Sequence, residues 1–240
     1  MPKQGLQVLF EDNHCIAVIK PAGVVTTHYQ GKEETLDRAV KQYLREKYHK
    51  PGNVFLGVVH RLDRLVSGVL LFARTSKAAA RISKQFREGT IEKRYCAVVE
   101  GCPPESGGTL EDWLLKNRET GQVDIVDPTA PCSRRAVLRY QQVGQPPASA
   151  VVGRTSVLNI ELLTGRTHQI RVQLASRGMP VFGDKKYGAT RRFPNGIALH
   201  AAALAFVHPI RQERIRLTAP VPQFWKSYFG FEFDPAAPMK

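Results

Sequence analysis

A charged segment enclosed by two apolar runs constrains the fold of this chain more than any other stretch. Val58 and Val59 precede residues 60–68, which read His-Arg-Leu-Asp-Arg-Leu-Val-Ser-Gly, and an apolar run follows at residues 69–72. Apolar runs bounded by turn residues predict strands, and the Ser-Gly pair predicts a turn. The charged segment is therefore predicted to be a loop on a hydrophobic scaffold, where functional residues often lie.

The charges of this loop surround one acidic residue. Asp63 stands between Arg61 and Arg64, with His60 close by in sequence. Cations near a carboxylate favour its ionised form, which can serve as a nucleophile, a base or an electrostatic stabiliser. A surface ion-pair cluster is the alternative interpretation of the same residues.

The overall charge indicates the class of partner. The chain has 240 residues, 42% of them hydrophobic, which suits one large domain or two small ones with a substantial core. Its 35 Lys and Arg residues against 21 Asp and Glu residues give a net charge of +14. Such an excess favours a polyanion, and nucleic acid is the first partner to consider. No stretch is apolar enough to span a membrane and the N-terminus does not resemble a secretory signal, so we expect no membrane partner and a cytoplasmic location.

The cysteines do not follow a metal-binding pattern. Cys15, Cys96, Cys102 and Cys132 show neither Cys-x-x-Cys spacing nor the histidine pairing of zinc sites. We therefore expect no metal, and we interpret the four residues as reduced, mostly buried thiols.

The hydrophobic pattern predicts strands and helices that mix without regular βαβ alternation, which favours the α+β class. Predicted strands lie at residues 16–19, 94–99, 134–140, 156–162, 197–207 and 213–217. Helices are predicted to begin at Thr35, Ser76, Thr167 and Pro222, and Gly89 is expected to end the second one.

Several common kinds of site are excluded by missing motifs. The chain has no phosphate-binding Gly-x-x-x-x-Gly-Lys-Ser/Thr loop, no Gly-x-Gly-x-x-Gly after a strand, no His-Glu-x-x-His and no Gly-x-Ser-x-Gly. Three charged constellations remain: the Asp63 loop, Lys93-Arg94-Tyr95, and residues 163–171, which read Leu-Thr-Gly-Arg-Thr-His-Gln-Ile-Arg.

In this order, the three segments closely resemble the RluA-type pseudouridine synthases, with their HRLDR-x-x-SG loop, K-x-Y strand and TGR-x-HQIR segment. The resemblance extends over nearly the whole chain, through Lys20-Pro21-Ala22-Gly23, Gly183-Asp184-x-x-Tyr187-Gly188 and Leu199-His200-Ala201. Two residues depart from the family pattern, Val66 in place of threonine and Gln173 in place of a histidine.

The resemblance implies a pseudouridine synthase fold: a mixed, mainly antiparallel sheet flanked by helices, with a basic active-site cleft between two halves. We expect a single catalytic domain over residues 1–240, with a short tail from about residue 234. Because the Lys-Pro-Ala-Gly element lies close to the N-terminus, we expect no S4 RNA-binding domain of the kind that many relatives carry. We therefore expect the catalytic domain itself to bind the RNA substrate.

The resemblance also implies a reaction: uridine in ribosomal or transfer RNA is isomerised to pseudouridine, without cofactor or metal, after the nucleotide is flipped out of its stack. Asp63 would be the essential carboxylate, acting on C1′ or through a glycal. Arg171 would pair with Asp63, and Tyr95 would lie against the uracil. By pattern alone, Arg171 is equally a phosphate contact or a helix-surface charge, and Tyr95 a core residue.

Further residues are assigned to substrate binding by the same resemblance. Arg61 would fill the space left by the flipped base, Arg64 would contact substrate, and Ile170 and Leu199 would line the pocket. Ile170 and Leu199 are also ordinary core residues by pattern. His60, His168 and His200 could equally be structural hydrogen-bonding residues, and no catalytic role is assigned to them.

We expect a monomer that binds RNA. Two other functions remain open at this stage. One is an RNA-binding or chaperone-like protein without turnover, against which the intact Asp63, Tyr95 and Arg171 argue. The other is a glycoside or nucleoside hydrolase with two carboxylates, for which Glu161 and Asp184 are available.

Overall fold

A computed structural model describes residues 5–27, 34–146 and 152–234. The chain divides into two compact units. The first comprises Met1–Ile91 and Ala203–Ala219, and the second comprises Glu92–Ala202 and Pro220–Lys240. The predicted C-terminal tail beyond residue 234 lies outside the described residues, and the single catalytic domain stays a prediction.

Strands and helices mix along the chain, as the sequence pattern predicts. In chain order the strands are β1 (Val8–Glu11), β2 (Cys15–Lys20), β3 (Gly57–Val58), β4 (Ser67–Ala73), β5 (Glu92–Glu100), β6 (Gly107–Lys116), β7 (Val123–Val126), β8 (Arg134–Gly144), β9 (Thr155–Leu162), β10 (Leu199–Val207) and β11 (Arg214–Thr218). The helices are α1 (Leu36–Lys47), α2 (Ser76–Glu88), α3 (Gln169–Ala175) and α4 (Gln223–Phe229). A short 3-10 turn covers Lys185–Tyr187.

The first unit is built on antiparallel strand pairs. Strand β2 pairs with β1 on one side and with β4 on the other, and β4 also pairs with β3. Strand β11 pairs with the last residues of β10, a strand that begins in the second unit. All seven residues of β4 are buried, which is typical of a strand covered on both faces. The charged loop therefore enters directly into the best-buried strand of its unit.

The second unit contains the order β5-β9-β8-β6-β7, and each neighbouring pair is antiparallel. Strand β5 pairs with β9 in a register that sets Tyr95 opposite Ile160. An aromatic cluster packs under α4, where Trp225 and Phe229 are buried beside Phe182. The fold is thus α+β with a mixed, mostly antiparallel arrangement, as expected.

Local signals explain which elements the sequence predicts well. Helix α2 begins where Thr75 accepts a hydrogen bond from the backbone N–H of Ala78 (3.2 Å), and it ends at Gly89, whose φ of 70° is left-handed. Helix α3 begins at Gln169, two residues after the predicted start at Thr167. Strands β1, β6 and β7 are not predicted. Strand β6 opens with two glycines and is half-exposed, so its apolar alternation is weak.

The cysteines are all free, and their burial differs from the expectation. Cys15 and Cys96 are buried, Cys102 is partly exposed and Cys132 is exposed. Burial raises the pKa of Cys15 to about 12, so this thiol stays protonated at neutral pH. The interpretation as mostly buried thiols therefore holds for two of the four.

Candidate active site

The backbone of the Asp63 loop is fixed by hydrogen bonds to distant segments. The hydroxyl of Thr26 donates to the Leu62 carbonyl (3.0 Å) and accepts from the Leu62 N–H (3.3 Å). The Gly23 N–H donates to the Arg64 carbonyl at 2.7 Å. These bonds hold the backbone of the residues on both sides of Asp63.

Lys20 is the central brace of this loop, and the sequence interpretation did not assign it a role. Its side chain is fully buried, and Nζ donates to the carbonyl oxygens of Pro21 (2.9 Å), Val24 (2.7 Å) and Arg64 (3.2 Å). One ammonium thus ties the turn after β2 to the residue that follows Asp63. The signal in the sequence was a lysine that ends an otherwise apolar strand.

Opposing effects act on the pKa of Lys20. Burial lowers its pKa to about 7, and the negative charge of Asp63 acts in the opposite direction. The three carbonyl acceptors also favour the ammonium form. Lys20 therefore contributes a cation whose field reaches the Asp63 carboxylate, although its hydrogen bonds go to backbone atoms.

The charged side chains that follow His60 in the loop are accessible to solvent. Asp63 is half-buried, whereas Arg61 and Arg64 are exposed. The Nε of Arg64 donates to the carbonyl oxygen of Gly23 at 3.1 Å. The loop therefore presents a carboxylate and two guanidiniums on a rigid base, an arrangement that suits a substrate carrying phosphates.

His60 has a structural environment, as the sequence interpretation held. Its Nε2 accepts a hydrogen bond from the Leu71 N–H at 3.0 Å. The ring also stacks on Phe86, with 4.7 Å between centroids and 26° between planes. This imidazole connects the loop to β4 and α2.

Arg171 is held by a buried carboxylate in the second unit. Its Nε donates to Asp184 Oδ2 (2.6 Å) and its Nη2 to Asp184 Oδ1 (2.8 Å). Both side chains are almost fully buried, which rules out the helix-surface interpretation of Arg171. The pairing of Arg171 with Asp63 stays a prediction, because these two residues belong to different units.

Tyr187 completes the support of Arg171. The guanidinium lies over its ring, 5.0 Å from the centroid. The phenol oxygen accepts from the Val123 N–H (3.1 Å) and contacts His168 Nδ1 (2.8 Å). Burial raises the pKa of Tyr187, so the phenol stays protonated. His168 is therefore a structural residue, as expected, and it helps to fix the tyrosine.

The turn before α3 is fixed by Gln169. Its Oε1 accepts from the Thr164 hydroxyl (2.7 Å) and from the Arg166 N–H (3.0 Å). Gln173, one of the two departures from the family pattern, is fully buried and donates to Asp112 Oδ2 at 2.7 Å. The Asp112 carboxylate also accepts two hydrogen bonds from the guanidinium of Arg177. Gln173 and Arg177 therefore both connect the region of α3 to Asp112 on β6.

The remaining predicted residues lie in the second unit at different depths. Tyr95 is half-buried on β5, whereas Ile170 and Leu199 are 4% and 3% exposed. The structure places Ile170 beside Arg171 on α3. The pocket-lining role of Ile170 and Leu199 stays a prediction, as does the contact of Tyr95 with uracil.

One cluster has the donor types of a metal site. Asp12, Cys15 and His208 bring an oxygen, a sulfur and a nitrogen within 4.8 Å of one another. His208 Nε2 lies 2.7 Å from Asp12 Oδ2, and Nδ1 accepts from the backbone N–H groups of Ile210 (3.2 Å) and Arg211 (2.9 Å). Because Nδ1 accepts hydrogen bonds, Nε2 is the protonated nitrogen of the neutral ring, and it donates a hydrogen bond to Asp12 Oδ2. These bonds use the ligand atoms of the histidine, so the cluster fits a structural hydrogen-bond network.

Comparisons with known proteins give consistent results. The model of the family described as RNA pseudouridylate synthase matches residues 14–176. "Uncharacterized RNA pseudouridine synthase YhcT" of Bacillus subtilis (strain 168) is 36% identical over 230 residues, covering 95% of this chain and 72% of that protein. "Ribosomal large subunit pseudouridine synthase D" of Zymomonas mobilis is 33% identical, with 91% of this chain and 70% of that protein covered.

Two further comparisons concern a relative named for transfer RNA and a solved structure. "tRNA pseudouridine synthase C" of Haemophilus ducreyi is 35% identical, with 95% of this chain and 97% of that protein covered. The structure titled "Human RNA Pseudouridylate Synthase Domain Containing 1" superposes with a TM-score of 0.74 at 25% identity, over 95% of this chain and 88% of that one. Within the described part of the chain, no helix is long and apolar enough to cross a membrane.

Proposed function

Because the chain belongs to the RNA pseudouridylate synthase family, it is an RNA pseudouridine synthase, and we propose that Asp63 is the carboxylate on which its reaction depends. The observation that carries this proposal is the bracing of the Asp63 loop. Buried Lys20 and Thr26 hold the residues on either side of a half-buried aspartate. Such preorganisation suits a group that must meet a reacting atom.

The carboxylate has two chemically sensible routes. It attacks C1′ of the uridine as the N1–C1′ bond breaks, or it removes a ribose proton so that a glycal forms. In both routes the uracil turns and C5 becomes bonded to C1′. Both routes use the carboxylate form of Asp63. The reaction is an isomerisation, so its atoms balance without a co-reactant.

Arg171 and Tyr95 complete the proposed catalytic set. Arg171 orients Asp63, and its burial and bidentate pair with Asp184 support a rigid, permanently charged guanidinium in this role. Tyr95 stacks on the uracil and assists removal of the C5 proton. Its half-buried position on β5 leaves part of the ring accessible to a base.

The proposed substrate residues divide into charged and apolar groups. Arg61 fills the space behind the flipped base, Arg64 contacts the RNA, and Ile170 and Leu199 line the uracil pocket. Flipping a nucleotide costs a few kcal/mol, and contacts with the flanking phosphates offset this cost. The net charge of +14 and the exposure of both arginines support such contacts.

The target is a uridine of ribosomal or transfer RNA, because similar proteins are named for both substrates. We propose that the enzyme acts as a cytoplasmic monomer. Mapping pseudouridine in total RNA from cells with and without the gene identifies the target. Sedimentation at micromolar concentration tests the monomer, and cell fractionation tests the location.

The test of Asp63 is tritium release from C5-labelled uridine in RNA. Asp63→Asn is expected to abolish release while RNA binding stays near the wild-type value. Asp124→Asn is the matched control, because Asp124 is an exposed aspartate on β7. Substantial turnover by the Asp63→Asn enzyme contradicts the assignment. No turnover by the wild-type enzyme on any cellular RNA would favour an RNA-binding protein without catalysis.

The hydrolase alternative is tested in the same reaction mixture. Asp184 is a poor general acid or base, because both of its oxygens accept from Arg171 and the side chain is fully buried. We therefore expect no free uracil when products are separated by chromatography. Free uracil that still carries its C5 tritium, without release of tritium to water, would support hydrolysis.

Base replacement by Arg61 has its own test. Arg61→Ala is expected to impair turnover on a structured RNA more than on an RNA whose target uridine is already unpaired, because unstacking is then cheaper. Arg87→Ala, at an exposed arginine of α2, is the control. Equal losses on both RNAs would make Arg61 a phosphate contact only.

A further inference from the structure

Two neighbouring cations of the second unit lack a carboxylate partner within the residues that the structure describes. Lys93 Nζ is 3.4 Å from the carbonyl oxygen of Thr164, and Arg166 Nε donates to the carbonyl oxygen of Arg135 at 2.9 Å. A methyl group added at Gly165 would lie 3.6 Å from Lys93 Nζ. Lys93 therefore lies against the turn that carries Arg166.

Lys93, which is partly buried beside the exposed Arg166, differs from other shielded cations of the protein. Arg171 pairs with Asp184, Arg74 with Glu11, and Arg177 with Asp112. Each of these guanidiniums is partly or fully withdrawn from water, and each has a carboxylate within 3.2 Å. Unpaired shielded charge is costly, so proteins normally neutralise it. Lys93 is partly buried without a carboxylate partner in the described part of the chain, and its neighbour Arg166 is an exposed cation, so in the free protein the burial cost of Lys93 is not offset by a negative charge.

The electrostatic consequence is visible at Lys93. Burial, together with the positive charge of Arg166, lowers the pKa of Lys93 to about 8. Two cations held together in this way attract an anion. One negative group would offset both the repulsion between Lys93 and Arg166 and the cost of burying the Lys93 ammonium. Local conflicts of this kind are expected at functional sites.

The position of the pair points to the substrate. Lys93 and Tyr95 are two residues apart on β5, so their side chains leave the strand on the same face. Arg166 lies in the turn that leads into α3, the helix that carries Ile170 and Arg171. The two cations are thus attached to the same two elements as three of the proposed site residues.

We propose that Lys93 and Arg166 together bind one phosphate of the RNA backbone next to the target uridine. The assignment of the phosphate to RNA rests on the proposed function. Lysine supplies a compact charge and arginine a planar fork of N–H donors, a combination that suits a phosphodiester. Gly165, between Thr164 and Arg166, leaves room for a phosphate oxygen beside Nζ.

The number of neutralised phosphates can be measured from salt dependence. The probe is a single-stranded oligouridylate. The logarithm of its association constant falls with the logarithm of salt concentration, and the magnitude of this slope is about 0.7 per phosphate contact for single strands. Lys93→Met is expected to reduce the slope by up to about 0.7. Arg166→Gln should do the same. The double variant should also lose only about 0.7, because both residues hold one phosphate.

Matched variants make the result specific. Lys186 is an exposed lysine of the same unit whose Nζ also donates to a backbone carbonyl, that of Gly121 at 3.0 Å. Lys186→Met should leave the slope unchanged, and Lys93→Arg should keep it close to the wild-type value. Circular dichroism checks that each variant is folded. An alternative variant, Lys93→Gln, replaces Lys93→Met if the latter is unfolded.

Inorganic phosphate distinguishes the source of the anion. If the site binds any phosphate, inorganic phosphate should shift the NMR signal of the Lys93 side chain and compete with oligouridylate. A shift by oligouridylate alone assigns the site to the phosphodiester. Both results support the proposal. An unchanged slope in Lys93→Met, or a loss of about 1.4 in the double variant, overturns the shared site.

Failure here is separable from failure of the proposed function. The slope reports binding alone, whereas the proposed function is tested by tritium release. An active enzyme with an unchanged slope in Lys93→Met refutes only the phosphate site. A wild-type enzyme without turnover refutes the proposed chemistry, whatever the slope.

Discussion

The two halves of the proposed catalytic set depend on buried cations that are stabilised in opposite ways. In the first unit, the Lys20 ammonium donates to three backbone carbonyls, which belong to Pro21, Val24 and Arg64. In the second unit, the Arg171 guanidinium is held by the Asp184 carboxylate and covered by Tyr187. One cation organises the backbone of a loop, and the other is organised by side chains.

The difference follows from what each cation has to do. Lys20 braces a loop, so its donors are best used on carbonyl oxygens of the segments it connects. Arg171 is proposed to meet Asp63, so its own orientation must be fixed, which a bidentate carboxylate achieves. Burial therefore weakens the ammonium form of Lys20, whereas Arg171 remains charged.

The largest expected effect comes from breaking the Arg171–Asp184 pair. Asp184→Ala leaves a buried guanidinium without its carboxylate and should destabilise the protein by about 3–5 kcal/mol in denaturant unfolding. The control is Glu111→Ala, which removes a solvent-exposed bidentate pair with Arg135 and should change the free energy of unfolding far less. Equal costs for the two variants would show that burial of the pair is unimportant.

Loss of the Lys20 brace should have a smaller effect on stability. Lys20→Met leaves buried carbonyl oxygens without a donor and should destabilise the protein by about 2–3 kcal/mol. Turnover by the fraction of Lys20→Met protein that remains folded should also fall, because the Asp63 loop loses the hydrogen bond between Lys20 Nζ and the Arg64 carbonyl. Lys185→Met is the control, since its ammonium donates to the Thr190 carbonyl at the surface. Normal turnover by folded Lys20→Met enzyme would refute the bracing role.

Removing a single hydroxyl should weaken the support of Arg171. Tyr187→Phe leaves the Val123 N–H without its acceptor and should cost about 1–2 kcal/mol of unfolding free energy. The ring over Arg171 remains, so we expect a modest loss of turnover. Tyr140→Phe is a comparison at another buried tyrosine of the same unit. A turnover loss as large as that of Asp184→Ala would mean that the hydroxyl, rather than the carboxylate, positions Arg171.

The last prediction, and the smallest effect when it is expressed per pH unit, is the pH dependence that Lys20 contributes. Its pKa is about 7 in the folded protein and about 10.4 in an unfolded chain, so between these values the unfolded state binds more protons. Stability must then rise with pH above 7, on the order of 1 kcal/mol per pH unit at most. Unfolding of wild type and Lys20→Met at pH 6.5 and 8.5 measures the difference. The prediction is contradicted if the free energy of unfolding of the wild type, relative to that of Lys20→Met, decreases as the pH rises.

The strands and helices were predictable where the local pattern is strong. The apolar runs of β2 and β4 and the capped start of α2 are recognisable without tertiary information. Strand β6 was missed, because its glycines and its exposed face give no clear alternation. The strand order within each unit was likewise beyond local pattern, since pairing joins residues that are far apart in sequence.

The proposed site was predictable in its residue types but not in its supports. The motifs mark Asp63, Tyr95 and Arg171 because their three segments occur in the order that resembles the RluA-type pseudouridine synthases, although each residue alone has an ordinary explanation. Lys20 and Thr26 contact the loop across 44 and 36 positions of sequence. Asp184 was considered as a hydrolytic carboxylate, and the structure shows it paired with Arg171.

The sequence by itself determined the α+β class, the basic character and the family, because composition, periodicity and ordered motifs are properties of the linear chain. Only the tertiary structure decided which groups are buried and what they bind. Lys20, Lys93 and Arg171 are all cations in family-like motifs, yet one donates to three carbonyls, one stands beside another cation, and one has a carboxylate. The cost of burying charge depends on the atoms that surround it, and folding alone brings those atoms together.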